Sequence, residues 1–124
     1  MKHYEDGEQA AVFQWAAHFS ILRWMFAVPN GGNRNLKEAV RLKSQGVKPG
    51  VSDIFLPRPL HSHTGGGYAG LFIEMKRTKK QGRSSVTEDQ KAFQVAMTVA
   101  GYKCVTCYGA EQAIAAIREY LQTP

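Results

Sequence analysis

The stretch from Gly50 to Lys76 constrains this chain more than any other. It reads Gly-Val-Ser-Asp-Ile-Phe-Leu, then a connection, then Leu-Phe-Ile-Glu-Met-Lys. Both apolar runs have the length and the branched and aromatic content of strands, antiparallel if they form a hairpin. Side chains alternate along a strand, so Glu74 and Lys76 share one face while Ile73 and Met75 share the other. An unpaired charge among Ile, Phe and Leu costs several kcal/mol or is neutralised, so Asp53, Glu74 and Lys76 need a reason to be there. A divalent cation between the two carboxylates supplies one reason, and outlines a metal-dependent site for cleaving phosphodiesters. A structural ion pair from Lys76 to Glu74 or Asp53 at a sheet edge supplies another.

Ser52-Asp53 followed by Glu74-Met75-Lys76 resembles the PD-(D/E)xK nuclease superfamily, with Ser52 where the usual motif has proline. That departure is mild, because the proline shapes a turn and contributes no ligand. The closer likeness is to the VRR-NUC branch, the virus-type replication and repair nuclease domain. It is carried by Pro29-Asn30-Gly31-Gly32, by Gly46 through Asp53, by Glu74-x-Lys76, and by Gln90 after Thr87-Glu88-Asp89. It covers almost the whole chain.

The resemblance implies an α/β fold with a restriction-endonuclease-like core, a small mixed β-sheet flanked by helices. It implies catalytic roles for Asp53, Glu74, Lys76, Glu8 and Gln90. Mg²⁺ or Mn²⁺ would be held by Asp53, Glu74, the backbone carbonyl of Met75 and Glu8, a set of hard oxygen ligands with nothing soft to select zinc. Glu8 enters this set because it lies four residues before Val12 on the inward stripe of a first helix, and VRR-NUC domains carry an acid there. Read from the residues alone, Glu8 equally complements its own helix dipole, and Glu5 is a rival on nearly the same face.

Size and charge bound the rest. A chain of 124 residues makes one domain with one core. No apolar run approaches the roughly 18 residues needed to cross a bilayer. The start, Met-Lys-His-Tyr-Glu-Asp-Gly-Glu, lacks an apolar signal core. No membrane partner is expected, and the expected compartment is intracellular, the cytoplasm of a bacterial cell or a phage-infected host. A net charge of +6 suits a polyanionic partner, and its placement is informative. Arg34, Lys37 and Arg41 precede Asp53, while Arg77, Lys79, Lys80 and Arg83 follow Lys76, so basic stretches flank the acidic centre as DNA-tracking surfaces would. Asn30, in the glycine-rich turn, is a further candidate contact. Cys104-Val-Thr-Cys107 has no second ligand pair at zinc spacing and reads as two free thiols. His61 and His63 read as exposed loop residues beside three glycines.

Taken in order, Asp6-Gly7-Glu8-Gln9 predicts a helix start, with Val12, Trp15, Ala16 and Phe19 as its apolar stripe. Leu22 to Val28 predicts a strand. Asn35 caps a helix reaching about Ser44, with Leu36, Ala39 and Val40 as its narrow apolar face. Ser52–Leu56 and Tyr68–Lys76 are the two site strands, joined by a long loop rich in proline and glycine. Gln81–Ser85 is a polar connection. Thr87-Glu88-Asp89-Gln90 opens a third helix, with Gln90 three residues before Phe93 and so facing the sheet near Lys76. Tyr102–Tyr108 is a strand, and Ala110–Leu121 a last helix packing Ala113, Ile117 and Leu121 on the sheet. The expected order is αβαββαβα.

A single basic domain with no helix-turn-helix or zinc finger suggests recognition of DNA shape rather than sequence. The resemblance to stand-alone VRR-NUC proteins implies structure-selective DNA cleavage by a homodimer that resolves four-way (Holliday) junctions, and a two-fold dimer matches the two symmetric cuts a junction needs. Flap or nicking cleavage, a restriction-type nuclease and a non-catalytic DNA-binding module are the alternatives.

Overall fold

In a computed structural model the described residues are 4–29, 35–61, 66–82 and 84–122. The elements are α1 (Tyr4–Ala16), β1 (Phe26–Ala27), α2 (Leu36–Ser44), β2 (Ile54–Leu56), β3 (Leu60–His61), β4 (Gly67–Tyr68), β5 (Leu71–Lys76), α3 (Glu88–Val99), β6 (Lys103–Tyr108) and α4 (Ala110–Leu121). Four strands form a mixed sheet in the order β1-β2-β5-β6. β2 runs antiparallel to both β1 and β5, while β6 is parallel to β5. Leaving aside the small β3–β4 ribbon, the order is the expected αβαββαβα.

The sheet's two faces differ in kind. Ile54, Leu56, Leu71, Ile73 and Met75 point to one face and are buried with Val12 and Ala16 of α1 and Ala113 and Ile117 of α4. This is the hydrophobic core. The opposite face carries Phe55 and Phe72, stacked at 4.3 Å between ring centroids, and Phe93 of α3 meets Phe72 edge-on at 5.0 Å. Tyr102 and Phe26 extend that aromatic layer. Alternation along β5 puts Glu74 and Lys76 on this second face, beyond the rings and under α3.

Several expectations are corrected. α1 begins at Tyr4, before Asp6, so Asp6 is not its cap. The predicted strand over Leu22–Val28 shrinks to Phe26–Ala27, because a 3₁₀ turn at Ser20–Leu22 sends Leu22 and Met25 into the core. The loop between the site strands contains the β3–β4 ribbon, pairing Leu60 with Tyr68. α2 has the predicted span, with Asn35 Oδ1 accepting the Glu38 N–H at 2.7 Å. Its apolar face, however, is uncovered among the described residues, with Leu36 81% and Val40 60% exposed. In α4, Tyr120 is buried in addition to Ala113 and Ile117. The cysteines are free thiols, and burial pushes Cys107 up to about 11.

Candidate active site

The C-terminal half of β5 pairs with β6 along one edge, has the entry of β2 beside it on the other, and is overlain by Gln90 of α3. That explains why Glu74 and Lys76 are buried, at 3% and 7% exposure. Because β2 is antiparallel to β5, its entry lies beside the exit of β5. Continuing the Ile54–Ile73 register by one residue sets Asp53 across from Glu74. The chain bends at Asp53, whose Oδ2 accepts the Met75 N–H at 2.7 Å. N–H and C=O of one residue in an extended strand project toward the same neighbour, so the Met75 carbonyl also lies on the Asp53 side. Asp53 itself is partly exposed, which leaves the pair accessible.

Gln90 ties Lys76 to Glu74. Its Oε1 accepts from the Lys76 ammonium at 2.9 Å and from the Thr87 N–H at 2.9 Å, while its Nε2 donates to Glu74 Oε2 at 3.1 Å. With Oε1 taken by two donors, the amide has one sensible orientation. The capping box of α3 is therefore also the part that aims Lys76 and one oxygen of Glu74.

The other oxygen is unsatisfied. Glu74 Oε1 is buried with no N–H or hydroxyl donor among the described residues, so a bond between this carboxyl and Asp53 requires a shared proton. Burial pushes Glu74 up to about 9, the hydrogen-bonded and charged Asp53 carboxyl adds to the rise, and Lys76 opposes it. Two carboxyls in contact under a low-dielectric roof must share either a proton or a cation. Hard oxygens and a buried acceptor without a donor fit Mg²⁺ or Mn²⁺.

Glu8 does not join this pair. α1 packs on the core face of the sheet, whereas the side chains of Glu74 and Lys76 project from the opposite face. Both oxygens of Glu8 are engaged elsewhere, Oε1 by the Ala110 N–H at 2.8 Å and Oε2 by Gln81 Nε2 at 3.3 Å. No group of three or more His, Cys, Asp or Glu side chains able to hold a metal occurs among the described residues. Glu8, expected as a third metal ligand, thus stands in a separate hydrogen-bonded junction just past Lys76 rather than in the network of Asp53, Glu74, Lys76 and Gln90. The side chain of the rival, Glu5, lies outside the described set.

Of the expected DNA contacts, Lys37 and Arg41 are exposed on α2, and Lys79 and Lys80 are exposed on a 3₁₀ turn just past β5. Arg77 is half-buried beside the Gly82 backbone. Asn30, Arg34, Arg83 and His63 lie outside the described residues, and His61 is exposed. Gln81 was missed by the sequence reasoning. Thr78-Lys-Lys-Gln81 has the same spacing as Thr87-Glu-Asp-Gln90, and Gln81 Oε1 accepts the Thr78 N–H at 3.0 Å. That repeated pattern is the signal that marks it.

A mixed four-stranded sheet carrying an acid from one strand entry and an acid–x–lysine from the neighbouring strand exit defines a restriction-endonuclease-like fold. A sequence model of the VRR-NUC domain matches residues 1–111, so the chain belongs to the VRR-NUC family. A solved structure described as a VRR_NUC domain protein is similar at a TM-score of 0.77 and 27% identity, covering 98% of this chain and 91% of that one. A comparison with curated proteins finds no significant match. Membership makes the chain a nuclease domain of the PD-(D/E)xK superfamily, whose members usually use divalent metals and act on DNA. Among the described residues no helix is long and apolar enough to cross a membrane.

Proposed function

We propose that this chain is a metal-dependent, structure-selective DNA endonuclease in which Asp53, Glu74 and the Met75 carbonyl hold Mg²⁺ or Mn²⁺. The observation that carries the reading is the donorless, buried Glu74 Oε1 set against Asp53, with Lys76 fixed beside it by Gln90. When bound, the cation supplies Lewis-acid polarisation of the scissile phosphate and a more acidic attacking water. Asp53 keeps its orientation through the Met75 N–H. Lys76, presented by Gln90, orients the attacking water and stabilises the negative charge that grows on the phosphate. Gln90 holds Lys76 and Glu74 at a fixed separation, so the ammonium does not collapse onto the carboxylate.

The DNA-facing surface comprises Lys37 and Arg41 on α2 and Arg77, Lys79 and Lys80 past β5, with Asn30 and Arg34 as further contacts. Backbone contacts of this type position DNA without reading sequence. The preferred substrate is a four-way junction, cut by a homodimer. Exposed apolar side chains, among them Trp24, Leu36, Val40 and Val99, support association between copies.

A labelled four-way junction, a flap, a nicked duplex and a plain duplex, each incubated with Mg²⁺, Mn²⁺ or EDTA, test the proposal. Paired symmetric cuts in the junction, lost in EDTA, are expected. Binding without cutting under every metal condition would overturn the enzymatic reading in favour of a DNA-binding module. Preference for the flap or nick would overturn the junction assignment alone.

A further inference from the structure

Glu8 joins three segments that are far apart in sequence. α4 begins after Gly109, which has no side chain to cap the helix, and Glu8 Oε1 supplies the missing acceptor to the Ala110 N–H at 2.8 Å. Glu8 Oε2 takes the Gln81 amide at 3.3 Å, and Gln81 in turn closes the turn by accepting the Thr78 N–H. Gly109 donates its own N–H to the Lys76 carbonyl at 3.0 Å, linking the junction to the last residue of β5. Only glycine fits there. Its φ is +96°, and a Cβ would stand 2.5 Å from Thr78 Cγ2 and 3.0 Å from Glu8 Oε1.

The turn fixed in this way carries Lys79 and Lys80 and borders an open cavity of about 620 Å³ immediately beyond Lys76. Arg77, Lys79, Ser84, Tyr108 and Gln112 line it, so among the described residues it offers cations, hydroxyls and an aromatic ring, and no carboxylate. That composition suits a phosphate and sugar of a nucleic-acid backbone.

We infer that Glu8 is a positioning residue that latches this DNA-backbone subsite in register with the acid pair, and that it does not ligate the cation. The inference rests on the nuclease reading for its substrate, while the latch can be tested without cleavage. Glu8→Ala and Gln81→Ala each remove the Glu8–Gln81 link. Both are expected to weaken binding of duplex or junction DNA about five- to tenfold in EDTA, by loosening the turn's phosphate contacts. Both are also expected to speed amide exchange at Thr78, and to leave the half-saturating Mg²⁺ concentration for cleavage unchanged. Glu8→Gln retains an oxygen for the Ala110 N–H but turns an amide nitrogen toward Gln81 Nε2, so it keeps the α4 cap, loses the Gln81 link, and is expected to bind DNA as Gln81→Ala does.

A metal ligand would behave differently. Both Glu8 variants would then shift the Mg²⁺ requirement while Gln81→Ala matched wild type; that pattern overturns the inference. Unchanged Thr78 exchange in Glu8→Ala also overturns it, whether or not the protein cleaves DNA. If Glu8→Ala fails to fold, Gln81→Ala, which leaves the α4 cap in place, carries the test.

Discussion

Gln90 is the residue on which the site turns. It satisfies the start of α3, the Lys76 ammonium and one oxygen of Glu74 with a single amide. Gln90→Ala should cost about 1–2 kcal/mol in denaturant unfolding, from a lost cap and a buried ammonium left with poorer partners. It should also slow cleavage more than it weakens DNA binding, since Lys76 loses its orientation. Glu74 gives a second prediction. Its folded-state value is raised from 4.5 to about 9, so between those limits the folded, metal-free protein holds a proton that the unfolded chain releases. Stability therefore falls as pH rises through that window. Thermal unfolding in EDTA from pH 5 to pH 9 should show this fall, and Glu74→Gln, neutral throughout, should flatten it. Added Mg²⁺ should oppose the loss at high pH, because binding requires the deprotonated acid.

At the scale of elements, the junction of α1, α4 and the turn after β5 depends on Gly109. Gly109→Ala should destabilise the protein by about 2 kcal/mol in denaturant titrations, because its backbone is left-handed and the new methyl strikes Thr78. This scale also shows what was legible in the sequence. Gln90 could be placed because its cap position and its helical stripe agree, and both put it over β5. Asp53, Glu74 and Lys76 stood out because charges in apolar strands need partners. The hydrogen bonds of Glu8 to Ala110 and Gln81 were not legible, because helical spacing tells which residues share a face, not which partners that face meets. The same limit applies to α2, where spacing groups Leu36 with Val40 but cannot say whether another element covers them. β1 was overestimated because Leu22 and Met25 are apolar for the sake of the core, not for strand pairing.

For the whole molecule, charge placement and the one-sided core set the terms of DNA association. Among the described residues the face bearing the acid pair is overlain by α3, which buries none of its residues fully. Lys79→Ala combined with Lys80→Ala should reduce the slope of log affinity against log salt by about 2 and weaken binding to all DNA sequences alike. Anisotropy titrations across salt concentrations would show it. The claim at the centre of this account is that the acid pair with Lys76 is a cleavage centre rather than a structural ion network. Single-turnover cleavage of labelled junction DNA over a Mg²⁺ titration, with wild type beside Lys76→Ala and Asp53→Ala, tests it most directly. The account predicts cleavage that requires Mg²⁺ and falls at least about a hundredfold in both folded variants. Cleavage by Lys76→Ala at the wild-type rate, or cleavage indifferent to EDTA, would contradict it.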